Sequence, residues 1–312
     1  MPLIFPNSTA EVCNAKSSPR ASRTGAALAP LRLWHLASLD APTVAVVWAS
    51  GFCWAAGAHL SLQAAAVIAL GVWTVYVGDR LLDARASLRH HTEYRLRERH
   101  YFHWRHRRLF VPFAVAAAAA TAILVLGCIP IVARERDSVL AAASLAYFAR
   151  VHQRQLSTVR SQRPLFPPIV TKELLVGVLF AVGCALPALG TAWAAPVTTR
   201  WVLMGAVAYF AALAWLNCYA IEQWESGAER VGNLSLAALS KALSLIGLIA
   251  ALLLSIVQPR AALLLAAAAL SALLIALLDR TRSRVTALTL RAGADLVLLA
   301  PAIIFPFAGL VR

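Results

Sequence analysis

From about Pro42 onward this chain is a succession of apolar runs, each near the length that crosses a lipid bilayer and each closed by a short polar segment. Two of them, Asn233 to Val257 and Ala261 to Leu278, place apolar residues around every helical face. A helix that is apolar all round reserves no face for water and belongs in a membrane or deep inside a large core. A membrane β-barrel would instead show segments of about ten residues with alternating polarity. By length alone 312 residues would make two soluble domains, but 60% of them are apolar even before glycine is counted and only 14% are charged. Soluble domains run about 45–50% apolar and about 25% charged. The mean hydropathy of +0.70 agrees. The sequence therefore predicts an all-α fold, a multi-pass transmembrane helical bundle.

The runs predict about nine spans: Pro42 to Ala58, Leu62 to Val77, Leu109 to Leu126, Ser138 to Ala149, Ile169 to Leu189, Trp201 to Ile221, Leu234 to Val257, Ala261 to Leu278 and Ala287 to Leu310. The fourth is shorter than the ~17 residues a span needs. Residues 1–40 hold four prolines, a Ser/Arg-rich stretch and no long apolar run, and read as a disordered cytoplasmic tail. They lack the apolar core and cleavage site of a secretory signal. Residues 41–312 read as one transmembrane domain.

A net charge of +15 invites a nucleic-acid reading, but the arginines sit in connectors between spans rather than on a soluble face. Nucleic acid is therefore not an expected partner, whereas membrane lipids are. Alternate connectors and the tail carry 21 lysines and arginines, against 5 on the other side. This asymmetry predicts a cytoplasmic N-terminus and a C-terminus outside. The five cysteines show no CxxC spacing and read as small buried hydrophobes.

Charge in or beside a span is costly, so each instance is a candidate for function. At the end of span two, Asp79 and Asp83 lie one turn apart on a helix, beside Arg80 and Arg85, and could share a divalent cation or simply be solvated. At the end of span six, Glu222 and Glu225 are helical neighbours, with Asn217 a turn and more before them. Lys172 and Glu173 open span five, where the lysine could meet a phosphate or snorkel to the surface. In span nine, Arg291 and Asp295 stand at i, i+4 and read most cheaply as an ion pair with each other. The connector from Ala84 to Arg108 holds five of the eight histidines; His100, His103 and His106 could form a metal stripe, but no second cluster accompanies them. A basic, aromatic-bearing interfacial helix is the preferred reading there.

With about nine spans and acidic motifs closing spans two and six on the same membrane face, the chain resembles the UbiA superfamily of intramembrane prenyltransferases, from roughly Pro42 to the C-terminus. The family pattern NDxxDxxxD falls on Asp79, Arg80, Asp83 and Ser87, so Asp83 keeps the family residue type and Asp79 stands where the family has Asn. The family's Tyr-Ala pair and acidic stretch in span six correspond to Tyr219-Ala220 followed by Glu222, Gln223 and Glu225. The stretch Lys172 to Gly183 is similar to the family's fifth span, where a basic residue faces the diphosphate.

The resemblance implies a UbiA-like bundle of nine helices and a transfer of an isoprenyl group from a prenyl diphosphate to a lipophilic, aromatic acceptor. It implies Asp79, Asp83 and Glu222 as catalytic residues and a Mg²⁺ cofactor held by Asp79, Asp83, Glu222 and Glu225. Asn217, Lys172, Arg80 and Arg85 would bind the diphosphate. The departures at Arg80 and Ser87 leave open a non-catalytic relative that binds a polyprenyl or other lipid phosphate, and the Lys172/Glu173 and Arg291/Asp295 charges within spans leave open a small-molecule transporter.

Overall fold

The computed structural model describes residues 29–89, 98–156, 172–226 and 235–306. Among these residues there are eleven α-helices, one 3-10 turn and no strand. In chain order they are α1 (Ala29–Leu36), α2 (Asp40–Ala55), α3 (Leu62–Arg89), α4 (Glu98–Arg105), α5 (Arg107–Cys128), α6 (Ile131–Leu156), α7 (Lys172–Ala194), α8 (Val197–Ser226), α9 (Leu236–Leu254), α10 (Pro259–Thr281) and α11 (Ala287–Val297), with the 3-10 turn at Ala300–Ile303.

Among the described residues, six helices are long and apolar enough to cross a membrane: α3, α5, α7, α8, α9 and α10. The chain is thus an α-helical, multi-pass integral membrane protein. A seventh crossing is available only if α1 and α2, which meet at 89°, count as one broken span. The reason is length, since the 16 residues of α2 rise only about 24 Å, less than the ~30 Å hydrocarbon core.

The nine apolar runs and the helices differ at three places. The fourth run lies in α6, a helix of 26 residues that is long enough to span but charged at both ends, by Arg134, Glu135, Arg136 and Asp137 at the first and Arg150 and Arg154 at the second. The ninth stops early: α11 ends at Val297 and gives way to a 3-10 turn containing Pro301, which lacks the N–H that would continue the helix. Pro187, by contrast, sits within a continuous α7. The tail expected over 1–40 ends sooner, because Ala29–Leu36 is helical and His35 and Leu36 are buried. One short amphipathic turn of helix has no long apolar run to announce it. Residues 1–28 lie outside the described residues.

The bundle is built around α2, α8 and α10. Of the most apolar stretch of each helix, α10 buries 61% and α8 50%, whereas α3 buries 11% and α5 6%. The first two are therefore central, α3 is mostly half-buried, and α5 turns exposed Leu109, Phe113, Val115, Ile123 and Leu126 outward. Trp48 and Phe52 of α2 meet Phe210 of α8, the Trp48 and Phe210 rings stacking at 3.8 Å with 17° between planes. Trp48 Nε1 donates to Leu298 O at 2.9 Å, so the buried indole leaves no polar group unmet. Close approach of α7 to α8 depends on Gly177, where an added Cβ would fall 2.8 Å from Trp215 N.

Helix starts are set by local chemistry. Ser235 and Thr286 cap α9 and α11, their hydroxyls accepting from Ala238 N and Thr289 N at 3.1 and 3.2 Å. Pro259 opens α10, where a missing N–H costs nothing.

Candidate functional site

The polar site begins at the elbow between α1 and α2. Ser38 there takes φ 58°, the left-handed region that a side chain rarely enters. Three contacts compensate. Leu39 N donates to Trp34 O at 3.0 Å, Trp73 Nε1 of α3 donates to Ala37 O at 3.0 Å, and Ser38 Oγ lies 3.1 Å from His103 Nε2 of α4. The sharp turn brings the residue before it against the residue after it: His35 Nδ1 lies 2.6 Å from Asp40 Oδ2.

Around that pair three further elements close in. Asp295 of α11 places its Oδ2 3.6 Å from the same His35 nitrogen. Asn217 of α8 donates from Nδ2 to Asp295 Oδ1 at 3.2 Å. Arg80 of α3 sets Nη2 3.8 Å from Asp40 Oδ2 and its guanidinium 5.8 Å from the Tyr76 ring centroid. The Asp40 Oδ1 accepts from Ala41 N at 3.0 Å. A continuous series Arg80, Asp40, His35, Asp295, Asn217 thus connects α3, α2, α1, α11 and α8. His35 is 0% exposed, Asp40 and Arg80 2% and Asn217 5%. Water does not solvate these charges, so their neighbours must, at a desolvation cost of several kcal/mol per ion before pairing.

A second group flanks the first. Glu225 Oε1 of α8 accepts from Arg291 Nη1 of α11 at 2.8 Å and from Arg99 Nη1 of α4 at 3.3 Å. His100 Nε2 of α4 lies 3.8 Å from Asp83 Oδ2 of α3. Trp224 Nε1 donates to Asp279 Oδ1 at 3.0 Å and fixes the end of α8 to α10. Helix α4 therefore does more than lie on headgroups: Arg99, His100 and His103 are buried against the bundle. Burial pushes the His103 imidazole down to about 4, because the charged form would lose its water. The neutral ring donates from Nδ1 to Arg99 O at 2.9 Å and accepts from Ser38 at Nε2. No stripe of His100, His103 and His106 forms, since each ring is turned to a different neighbour.

Of the residues the sequence singles out, Arg80, Asn217 and Asp295 enter the first group, and Asp83, Glu225 and Arg291, with His100 of α4, the second. Asp79 and Asp83 are half-buried on α3, Arg85 is exposed on the same helix, and Glu222 is exposed on α8. Lys172 is the first residue of α7, with its side chain outside the described residues. The expected metal set of Asp79, Asp83, Glu222 and Glu225 does not gather into one cluster. Among the described residues, the group of three His, Cys, Asp or Glu side chains close enough to share an ion is His35, Asp40 and Asp295, with ligand atoms within 4.8 Å of one another. Arg291 and Asp295 do not pair with each other as their spacing suggests; Arg291 turns to Glu225 and Asp295 to His35 and Asn217. Sequence reasoning missed His35 and Asp40 altogether. Their one signal was Asp40 at the mouth of an apolar run, in a chain with only six aspartates.

No family model matches the chain, and comparison with curated proteins and with solved structures returns no match.

Proposed function

We propose that the chain is a membrane prenyltransferase of UbiA type, transferring an isoprenyl group from a prenyl diphosphate to a lipophilic, aromatic acceptor. The observation that carries this reading is the meeting of the α3 and α8 ends, through Arg80 and Asn217, in one buried polar series within an otherwise apolar bundle. An amphiphile with a charged head and an apolar tail needs that combination. In the proposed orientation this end faces the cytoplasm, where a soluble diphosphate head enters, and α6 and the α11 segment complete nine UbiA-like helices. Arg80 and Arg85 on α3, with Lys172 at the start of α7, would attract the diphosphate, and Asn217 would orient it.

Transfer breaks the allylic C–O bond, its electron pair leaving with the diphosphate. The acceptor forms the new bond and gives its proton to the released diphosphate. Positive groups near the leaving oxygens lower that barrier because negative charge concentrates there in the transition state. Mg²⁺ is held in proteins by one or two carboxylates plus substrate phosphates. Asp79 and Asp83, one turn apart on α3, fit that role, and the ion would supply further neutralisation of the leaving group. Glu225 Oε1 already faces two arginines, which would lower the charge that it could offer such an ion.

The test is transfer itself. Full-length protein in nanodiscs, given labelled prenyl diphosphates of several lengths, Mg²⁺ and a panel of aromatic acceptors, should form prenylated product. Asp83→Asn should reduce the rate by at least 10²-fold, on the order expected for loss of a charge stabilising the transition state. No product and no stabilisation by any prenyl diphosphate would overturn the reading. The Glu225 clamp favours a second possibility, a non-catalytic binder of lipid phosphate. It predicts stabilisation by prenyl diphosphate without product, and no effect of Glu222→Ala on binding.

A further inference from the structure

We infer that His35, Asp40 and Asp295 form a binding site for a first-row transition-metal dication, Zn²⁺ in the first place, separate from the Asp79/Asp83 pair proposed above.

The cluster joins two carboxylates to an imidazole from three different helices, all within 4.8 Å. Carboxylates alone would suit Mg²⁺ or Ca²⁺, but an imidazole ligand favours Zn²⁺, Mn²⁺ or Fe²⁺. The donor atoms converge. Asp40 Oδ1 accepts from Ala41 N and Asp295 Oδ1 from Asn217 Nδ2, so each carboxylate is fixed through one oxygen and turns the other, Oδ2, toward His35 Nδ1. This is the outer-shell support that orients metal ligands.

The independent observation is His35 itself. It is fully buried, its Nδ1 is held between the two carboxylates at 2.6 and 3.6 Å, and its Nε2 meets no hydrogen-bond partner. Asp40 Oδ2 is only 2.6 Å from Nδ1, and Asp295 Oδ2 approaches the same nitrogen. Side-by-side donors at such separations are the edges of a coordination polyhedron. Zinc ligands at about 2.0–2.2 Å stand about 3.3 Å apart in a tetrahedron, and the His35 contacts of 2.6 and 3.6 Å bracket that value. Asn217 points to the same conclusion. It is 5% exposed, touches Asp295 through Nδ2, and has a buried Oδ1 with no partner. A water in the fourth metal position would give that oxygen a donor. Arg80 stays outside the ligand set, since 3.8 Å from Asp40 Oδ2 is too long for a hydrogen bond.

The experiment uses the full chain in detergent, stripped with chelator and titrated with Zn²⁺, Mn²⁺ and Co²⁺. Bound metal is read by elemental analysis, and Co²⁺ by its visible absorption. The expected result is saturable binding of one ion per chain, with d–d bands indicating a low-coordinate Co²⁺ site bearing nitrogen. Binding should be lost in His35→Ala and Asp295→Asn, weakened about 10–100-fold in Asn217→Ala, and kept in Asp83→Asn. The wild-type Co²⁺ spectrum does not depend on whether any variant folds. Absence of saturable binding by all three ions, an octahedral all-oxygen spectrum, or retention of metal by folded His35→Ala would each overturn the inference. Failure of prenyl transfer leaves this site standing, and loss of metal in Asp83→Asn but not in His35→Ala would assign the ion to the α3 pair instead.

Discussion

Helices α2 and α8 each pass through two environments. Midway along them Trp48, Phe52, Phe210 and Leu213 pack with no charged neighbour, while toward their polar ends Asp40, Asn217 and Glu225 contact groups from α1, α3, α4 and α11. In the apolar region almost any well-shaped neighbour will serve, because dispersion and burial are non-directional. In the polar region each group is tied to a particular atom, and a missing partner leaves a buried charge unmatched. The first kind of packing makes the bundle; the second selects which helix ends meet.

The largest expected effect falls on the apolar region. Trp48→Ala removes the stacked indole and its bond to Leu298 O, and should cost about 3–5 kcal/mol. Reversible unfolding in mixed micelles measures it. A loss below 1 kcal/mol would mean that the α2/α8 contact is not what secures the bundle.

The polar region is tested next by Glu225→Gln. The neutral amide keeps the shape but leaves Arg99 and Arg291 facing each other's charge, at a cost of about 2 kcal/mol. Removing either arginine as well should recover part of that loss, as a double-mutant cycle would reveal. Strict additivity would show that the three groups do not act together.

The two regions were unequally legible in the sequence. Trp48 and Phe210 fall in apolar runs, so their burial follows from hydropathy alone. Arg80, Asn217 and Glu225 could be marked because polar groups at span ends are costly. Their partners could not be read, since His35 lies before the first apolar run and Asp40 only at its mouth, and nothing local says that a left-handed Ser38 will fold one onto the other. Arg291 and Asp295 show the limit most directly. Their spacing permits a pair, but Glu225 and Asn217, more than sixty residues away, compete for them and win. Local spacing states which contacts are possible, and tertiary packing decides among them. The span count was legible only in part for a related reason, because hydropathy registers an apolar run without registering that α2 is too short to cross alone.

Acid should separate the regions without any mutation. His103 is held neutral, with its pKa depressed to about 4 from an ordinary 6.5. Between those values the unfolded chain binds a proton that the folded one does not, so this residue's contribution to stability is full above pH 6.5. It is lost as pH falls from about 6.5 toward 4, by up to about 3 kcal/mol. His103→Phe should flatten that part of the stability–pH curve while leaving the Trp48 stack untouched. An unchanged slope would mean that His103 is solvated in the folded protein.

The smallest effect concerns Ser38, where two terms of similar size oppose each other. Its left-handed φ costs about 1 kcal/mol relative to glycine, and its hydroxyl's bond to His103 Nε2 contributes about 1 kcal/mol. Ser38→Gly removes both the strain and the bond and should change stability by less than about 0.5 kcal/mol. Ser38→Ala keeps the strain, loses the bond and leaves a buried ring nitrogen without a donor, so it should be destabilising by about 1–2 kcal/mol. The difference between the two variants, measured in the same unfolding assay, isolates the backbone term. If alanine were tolerated as well as glycine, the elbow would owe its angle to the packing of α1 against α4 and α11 rather than to the turn, and the meeting of His35 with Asp40 would be a consequence of that packing.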